Sequence, residues 1–315
     1  MYTLTADSGG TKTTWLLTTD SEVPSSPKSG ELFTTQGINP FHMSPSDMRH
    51  IIEDELLPAI AVSSPATMPC DSPQGKASQV PSTPQSSLSP ATISEINFYG
   101  AGCTREKSPI LRDILASLFP EAQTITVDSD MLGAAKALFA SQPGIACILG
   151  TGANSCLYDG QQIISNVSPM GYILGDEGSG AVIGKTFLNS LYKGQHRDFI
   201  PIFEQETGLT LPVIINKVYR EPLPNRFLAS LAPFIKYHIQ DQEWIAQHVI
   251  QCFREFFRNN VSHYTLHPSS LTPHPSSLPV GFVGSIAYHF REQLLQAATA
   301  ERYTVSKILK EPLQP

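Results

Sequence analysis

The chain lacks any apolar run of the ~20 residues that a helix needs to cross a bilayer. Its beginning also lacks the pattern of a secretion signal and leads directly into a strand-like stretch. These two absences predict a cytoplasmic protein for which a membrane is not a partner.

Basic residues are fewer than acidic residues. The 315 residues include 21 Lys and Arg against 28 Asp and Glu, which gives a formal net charge of -7. Surfaces that bind nucleic acids or anionic membranes are basic, so this balance argues against both as the main partner. Any phosphate group that the protein binds must therefore be held by local donors.

Paired cysteines are also missing. The five cysteines are odd in number, scattered, and never spaced as C-x-x-C, which argues against a disulfide or metal framework. Free and mostly buried thiols are the better interpretation. The residues are Cys70, Cys103, Cys147, Cys156 and Cys252.

What the chain does have is enough length and apolar content for two domains, with 41% hydrophobic residues. Two segments, 63–90 and 267–279, are instead rich in Ser and Pro. Such segments cannot bury enough apolar surface to offset their ordering entropy, so we expect mobile surface insertions. The histidines of the second segment resemble a metal-binding tract, but a duplicated linker is the simpler interpretation.

The local patterns predict strands that alternate with helices and end in glycine-rich turns, which indicates parallel strands with ligand sites at their carboxyl ends. Pro58 is expected to stop or kink the first helix. The predicted strands are 2–6 and 13–18 (a hairpin), 93–99, 123–127, 144–149 and a final strand 280–283, and the predicted helices are 46–60, 107–118, 131–141, much of 180–260 and 285–300.

Two turns rich in Gly and Thr dominate the chemistry. One spans residues 7–13 (Asp-Ser-Gly-Gly-Thr-Lys-Thr), and the other spans residues 150–155 (Gly-Thr-Gly-Ala-Asn-Ser). Glycine lets backbone N–H groups approach phosphate oxygens, and hydroxyl and Lys side chains add donors and charge. Either turn alone is a weak signal. Two of them, each beside a strand, suggest a nucleotide held between two lobes.

Carboxylates stand at two strand ends. Asp7 ends the first strand, where it can hold Mg²⁺ beside phosphates, usually through water, or hydrogen-bond its own turn. Asp128 and Asp130 follow a strand and precede a helix. One of them suits a general base and the other a helix cap. We assign the base to Asp130 and a structural role to Asp128.

Residues 170–180 place Asp176 and Glu177 between glycines ahead of a helix. Carboxylates that accept pairs of hydroxyls are the usual means of recognising a sugar ring, so this segment is predicted to bind one. The following run, 179–186, is one residue short of a P-loop and has Ser in place of its first Gly. It also lacks the preceding apolar strand, and we reject a Walker-type site.

In their order along the chain, five motifs resemble the N-acetylglucosamine kinase branch of the BadF/BadG/BcrA/BcrD ATPase family, within the actin, sugar kinase and Hsp70 superfamily. The motifs are residues 7–13, the Asp130 region, 150–155, 175–179 and 283–287. The resemblance spans nearly the whole chain apart from the two insertions.

The resemblance implies an α/β fold: a two-lobed, actin-like ATPase (ribonuclease H-like) with mixed sheets flanked by helices. Its lobes would be residues 1–128 and 129–300, with a tail, 301–315, that returns to the first lobe. It implies an ATP-dependent, Mg²⁺-dependent kinase of a small-molecule sugar, often a homodimer.

The same resemblance assigns roles to individual positions. Asp130 matches the catalytic base, and Asp7 lies where Mg²⁺ is held. Nucleotide-binding positions are implied at Asp7, Gly9, Gly10, Thr11, Lys12, Gly150, Thr151, Gly152, Asn154, Gly284 and Ser285. Gly281, Gly284 and Ser285 would lie in an adenosine-binding turn. Sugar-binding positions are implied at Asn39, Asp130, Thr151, Asp176 and Glu177.

Two other functions remain open. One is an ATP-driven activator of a CoA-ester dehydratase or reductase, which would share an iron–sulfur cluster across a dimer, although an evident pair of cluster-binding cysteines is missing. The other is a sugar sensor without catalysis, which the presence of Asp130 disfavours. A kinase of the repressor-related group is disfavoured because its cysteine-rich zinc motif is missing.

Overall fold

The computed structural model describes residues 1–19, 30–62, 93–194, 196–266 and 278–313. The chain divides into two compact units, one of residues 1–130 with 313–315 and the other of residues 131–312. The predicted insertion 63–90 and most of the insertion 267–279 lie outside the described residues, as does Cys70.

The first unit is built on a five-stranded mixed sheet with the order β3-β2-β1-β4-β5. Strands β1, β4 and β5 are parallel, and the hairpin partners β2 and β3 are antiparallel. The predicted hairpin of residues 2–6 and 13–18 and the predicted strands 93–99 and 123–127 are therefore confirmed. The strands are β1 (Tyr2–Ser8), β2 (Lys12–Thr19), β3 (Gly30–Gln36), β4 (Ile93–Gly100) and β5 (Thr124–Ser129).

Alternation of buried and partly exposed residues explains why β1 forms a strand. Leu4, Ala6 and Ser8 are buried on one face of the sheet. Trp15 and Phe98, on β2 and β4, pack 5.6 Å apart in the core, and the Trp15 indole donates to Thr35 Oγ1. Helices α1 (Pro45–Ile51), α2 (Leu57–Val62) and α3 (Ser108–Leu118) contribute buried side chains to this core.

Pro58, which the sequence predicts to stop or kink the first helix, does not stop it. Between α1 and α2 the helix continues as a π-helical turn, Ile52–Leu56, and it runs on through Pro58 to Val62. A proline ring crowds the carbonyl four residues earlier in a regular α-helix. Here the residue four positions before the proline lies in the wider π-helical turn.

The second unit carries another five-stranded mixed sheet with the order β10-β9-β6-β7-β8. Strands β6, β9 and β10 are parallel, whereas β7 and β8 continue β6 as antiparallel hairpins. The strands are β6 (Gly144–Leu149), β7 (Ala153–Tyr158), β8 (Ile163–Val167), β9 (Val280–Val283) and β10 (Val305–Leu309). All four residues of β9 are buried, as expected of a central parallel strand.

Helices cover the second sheet, as the helical pattern of residues 180–260 predicts. The apolar residues of α11 recur at helical spacing, from Ile245 and Val249 to Phe253 and Phe256, and face the core. None of the helices in the described part of the chain is long and apolar enough to span a membrane. The helices are α4 (Asp130–Phe139), α5 (Gly171–Leu174), α6 (Gly180–Lys193), α7 (Ile200–Thr207), α8 (Leu211–Tyr219), α9 (Pro224–Ala229), α10 (Ala232–His238), α11 (Glu243–Phe256), α12 (Ser262–Leu266), α13 (Ser285–His289) and α14 (Arg291–Ala300).

The end of the chain differs from the prediction in two respects. The expected helix 285–300 is broken into α13 and α14 at Phe290, which is buried. The strand 280–283 is not the final one, because residues 305–309 of the predicted tail form β10 and pair with β9. Only residues 313–315 group with the first unit.

The two sheets share one topology. In each sheet, two successive antiparallel strands lie on one side of the central strand, and two parallel strands lie on its other side. Consequently the turn between β1 and β2 and the turn between β6 and β7 occupy equivalent positions in their units. These are the two glycine-rich turns that the sequence analysis singled out, and the fold is the mixed-sheet α/β fold that the resemblance implies.

Candidate functional site

The first glycine-rich turn is exposed at its tip and braced from behind. The N–H of Gly9 donates to the carbonyl of Lys12 over 3.0 Å, and residues 9–12 are all exposed. The hydroxyls of Ser8 and Thr13 are buried, lie 2.7 Å apart and both accept from the N–H of Ile38. The turn therefore presents backbone donors, a hydroxyl and an ammonium group on a rigid base.

Gly37 explains how the neighbouring segment approaches this turn. Its N–H donates to the carbonyl of Thr11 over 3.0 Å, and a Cβ at residue 37 would lie 2.6 Å from the carbonyl oxygen of Gly9. Only glycine permits this approach. A Cβ on Gly9 would meet nothing closer than 3.8 Å, so space remains beside the turn's own backbone for a phosphate group.

Asn39, the predicted sugar ligand of this unit, follows directly. Its Oδ1 accepts from the N–H of Phe41 over 2.9 Å, which fixes the amide plane. The same oxygen lies 2.0 Å from where a Cβ on Gly102 would stand, and Gly102 has a φ of +80°. The half-buried amide is thus packed against the loop after β4.

Carboxylates gather at the carboxyl ends of the three parallel strands. In register, Asp7 of β1 lies beside Tyr99 of β4, and Tyr99 lies beside Asp128 of β5. Neighbouring strands are about 4.8 Å apart, so the two acidic residues stand on the same face at roughly 10 Å. Asp130 begins α4 immediately after β5 and is half-buried. This edge offers hard oxygen ligands of the kind that Mg²⁺ prefers.

The pKa of the Cys103 thiol reflects the negative charges at this edge. Burial, together with the negative charges of Asp130 and Asp128, raises the pKa of this thiol to about 12. The thiol therefore lies within the field of both carboxylates and stays protonated. Asp128 itself accepts from the N–H of Ser129 over 2.7 Å, a local contact that agrees with the structural role assigned to it.

The second glycine-rich turn rests on the N-terminus of α6. The N–H of Gly180 donates to the carbonyl of Gly150 over 2.8 Å, and the N–H of Ala181 donates to that of Thr151 over 3.1 Å. Gly150 has no atom within 4 Å of a would-be Cβ, and Thr151 is exposed. The turn thus leaves open space beside its backbone, which suits a phosphate group.

The P-loop-like run after residue 178 is part of that support. Ser179 caps α6 by accepting from the N–H of Val182 over 3.2 Å, and the residues that mimic a P-loop lie inside the helix. The rejection of a Walker-type site agrees with this geometry, because an intact helix cannot wrap a phosphate.

Asn154 lies on β7 rather than at the tip of the turn. Its Oδ1 accepts from the N–H of Ser155 over 2.8 Å and from Asn166 Nδ2 over 2.9 Å. These contacts tie β7 to β8. The structure therefore places Asn154 next to the turn but gives its amide oxygen a bracing contact.

Asp176 stands over the second turn. Its φ is +55°, its N–H donates to the carbonyl of Pro169 over 2.9 Å, and its Oδ2 lies 3.0 Å from a would-be Cβ on Gly152. Burial, together with the charge of Glu177, raises the pKa of this carboxyl group to about 6. Turn and carboxylate are thus brought together within one unit.

The predicted adenosine turn divides into two kinds of position. Gly284 has a φ of +125°, and its N–H donates to the carbonyl of Leu309 over 3.0 Å. Ser285 begins α13 and is exposed. Gly281, by contrast, lies inside β9, where a Cβ would stand 2.9 Å from the ring of Phe139. Its role is packing rather than contact in a turn.

The residues that hold Glu177 are not among the positions that the sequence predicts for the site. Asn259 and Asn260 donate to its carboxylate oxygens from a distant part of the chain. Two consecutive asparagines in a helical pattern carry no signal of such a contact.

The described cysteines, Cys103, Cys147, Cys156 and Cys252, are buried free thiols as predicted. Among the described residues there is no group of three or more potential metal-ligating side chains.

Comparison with known proteins bears on the fold and the family. No family model matches the chain, and none of the curated proteins matches it. Among solved structures, a protein from Porphyromonas gingivalis that is provisionally identified as an N-acetylglucosamine kinase is 40% identical, with 98% of this chain and 95% of that chain covered and a TM-score of 0.80.

Two more distant structures share the fold. A protein from Chromobacterium violaceum, also provisionally identified as an N-acetylglucosamine kinase, is 17% identical with a TM-score of 0.64, over 96% of this chain and 94% of that one. A ROK family glucokinase from Streptomyces griseus, in complex with glucose and AMPPNP, is 12% identical with a TM-score of 0.51, over 98% and 94%.

Identity of 40% over almost the full length of both chains is far above what a shared fold alone produces. The chain belongs to the N-acetylglucosamine kinase-like family of sugar kinases, in the actin-like superfamily.

Proposed function

We propose that this protein transfers the γ-phosphoryl group of ATP to the 6-hydroxyl of an amino sugar, with N-acetylglucosamine as the best candidate. The observation that carries the proposal is the 40% identity to the P. gingivalis protein over nearly the whole chain. The two equivalent glycine-rich turns, each with open space beside its backbone, support a nucleotide as the phosphate donor.

Each phosphate-binding turn has a defined task in this proposal. Gly9, Gly10, Thr11 and Lys12 hold phosphate oxygens from the first unit. Gly150, Thr151 and Gly152 do so from the second, with Asn154 bracing the turn and Gly284 and Ser285 beside the adenosine. A bound Mg²⁺ would neutralise charge on the phosphates, and Asp7 would hold it, usually through water.

Polar and acidic side chains would hold the sugar. Asn39, Thr151 and Asp176 would contact its hydroxyl and acyl groups, and Glu177 would support Asp176. Asp130 would accept the proton of the attacking 6-hydroxyl as the new P–O bond forms and the bond to the leaving ADP breaks.

The test is a coupled assay of ADP release with glucose, glucosamine, N-acetylglucosamine, N-acetylmannosamine and N-acetylmuramate as separate acceptors. We expect one amino sugar to give the highest kcat/KM, and mass spectrometry of the product to place a phosphate on the 6-hydroxyl. Sugar binding without ADP formation would instead favour a sensor. An absence of both would overturn the proposal. Light scattering of the purified protein tests the predicted homodimer.

A further inference from the structure

The carboxylate of Glu177 is held by two adjacent asparagines that lie 82 and 83 positions away in sequence. Asn259 Nδ2 donates to Oε1 over 3.2 Å, and Asn260 Nδ2 donates to Oε2 over 3.3 Å. Asn260 is buried, with 6% of its surface exposed, whereas Asn259 is exposed. Both oxygens of one carboxylate are thus engaged by one short stretch of helix.

A local change in helix type makes this contact possible. Successive side chains of an α-helix point about 100° apart, which turns adjacent residues away from a common partner. Here α11 passes into a π-helical turn, Phe257–Val261, in which the N–H of Ser262 reaches back five residues to the carbonyl of Phe257. The wider turn reduces the angle between residues 259 and 260. Both amides can therefore face Glu177.

The loop that carries Glu177 also rests directly on this helix. Gly178 has a φ of +73°, and a Cβ there would lie 3.0 Å from Cβ of Phe256. The glycine lets the backbone approach the aromatic residue that ends α11. The asparagine amides and this close packing together fix the loop on the helix at two successive residues.

The amides fix Glu177 without neutralising it. The two arginines in this stretch of helix, Arg254 and Arg258, both pair with Glu301, each over 2.7 Å. Asparagine supplies hydrogen bonds but no charge. The negative charge of Glu177 is therefore kept next to Asp176.

We propose that Asn259 and Asn260 are positioning residues of the sugar site, which hold Glu177 and thereby orient the Asp176–Glu177 loop toward the sugar. This inference rests on the proposed function and deepens it. Neither asparagine contacts the reacting atoms. Their contribution belongs to acceptor binding rather than to the transfer step, which separates them from Asp130.

The test exchanges the hydrogen-bond donor and acceptor between residues 259 and 177, in two steps. Asn259→Asp replaces a donor with a second carboxylate at an exposed position, where the fold tolerates it. Loss of a hydrogen bond to a charged group is expected to raise KM for the sugar about ten-fold. The KM for ATP and kcat should stay within about two-fold, because the transfer step is untouched.

The double variant Glu177→Gln, Asn259→Asp places the amide on the loop and the carboxylate on the helix. The hydrogen bond is then restored with reversed polarity, and we expect KM for the sugar to return to within about three-fold of the wild type. A merely structural role would not give this rescue. The matched control is Asn216→Asp, which alters an equally exposed Asn-to-Glu contact, to Glu221, on α8.

A sugar KM that is unchanged in Asn259→Asp, or a double variant that is no better than the single one, overturns the inference while the proposed function stands. A wild type that neither binds nor phosphorylates any amino sugar overturns the proposed function and this inference together. Calorimetric titration of the wild type with N-acetylglucosamine, before the variants are compared, separates the two cases.

Discussion

The carboxylate of Asp176 lies directly over Gly152, with its Oδ2 3.0 Å from the point where a Cβ on that glycine would stand. One predicted sugar ligand therefore touches the predicted phosphate-binding turn within a single unit. The bare backbone at residue 152 is what leaves room for the carboxylate. The tip of the same turn, Gly150, faces open space instead.

Substitutions at these two glycines are expected to separate the sugar from the nucleotide. Gly152→Ala forces Asp176 to move by a few tenths of an ångström, and we expect KM for the sugar to rise on the order of five-fold. Gly150→Ala meets no protein atom but enters the space proposed for phosphate, so KM for ATP should rise instead. Steady-state kinetics with each substrate varied in turn is the measurement. Identical effects of the two variants on both KM values would contradict this assignment.

Gly284 is expected to be among the least replaceable residues of the second unit. Its φ is +125°, and a Cβ would lie 2.2 Å from the carbonyl oxygen of Leu149. Strain and backbone collision together should make Gly284→Ala destabilising by about 3 kcal/mol or more. Urea unfolding measures the loss. Gly208→Ala is the control, since its φ of +68° is also positive but nothing lies within 4 Å, and it should cost only about 1–2 kcal/mol.

The raised pKa of Asp176 predicts a pH-dependent gain in stability for Asp176→Asn. The folded pKa, about 6, exceeds the ordinary value of 3.8, mainly because of burial, with Glu177 raising it and Lys185 lowering it. Ionisation of Asp176 therefore opposes folding, and the wild type loses stability as the pH rises through about 6. The advantage of the variant should develop between pH 4 and pH 6 and remain constant above that range.

The control variant, Asp159→Asn, is expected to change the stability in the opposite direction. Hydrogen bonds from the N–H groups of Gln162 and Gln161 lower the pKa of Asp159. Its ionised form supports the fold above the ordinary pKa, and that support is lost as the pH falls through the lowered folded value. Asp159→Asn should therefore be destabilising at pH 7. A gain for Asp176→Asn that is equal at pH 4 and pH 7 in urea unfolding would refute the assigned cause.

Asp130→Asn tests the proposed general base. Removal of the base should lower kcat by roughly 10²- to 10⁴-fold and leave the KM values for ATP and sugar within a few-fold. The control is Asp128→Asn, because an amide oxygen can still accept from the N–H of Ser129, as the carboxylate does now. Near-normal turnover of Asp130→Asn in the ADP-release assay would exclude its role as base.

Much of the first unit's site could be predicted because its signals are local. A glycine-bearing turn between two β-rich runs can hardly fold otherwise than as a hairpin, so residues 7–13 predicted their own geometry. An acidic residue between a strand and a helix is likewise confined to the carboxyl edge of the sheet. Asp130 was therefore placed correctly, at the start of α4, from sequence alone.

The errors concern features that depend on neighbours. Pro58 is a helix breaker by intrinsic preference, and only the π-helical turn before it lets the helix continue. Residues 305–309 carry a weak strand pattern and become β10 because the edge of β9 is available for pairing. The resemblance places Gly281 in a turn, but its neighbour in space is the ring of Phe139.

The order of residues alone determined the two glycine-rich turns, the acidic residues beside them, the alternation of strands and helices and, through these, the family. These properties arise from contacts within a few positions of one another. Tertiary structure alone decided that two asparagines hold Glu177, that Gly152 leaves room for Asp176 and that Gly284 must remain glycine. Each of these depends on atoms that are distant along the chain, and only packing brings such atoms within a hydrogen bond or a collision of each other.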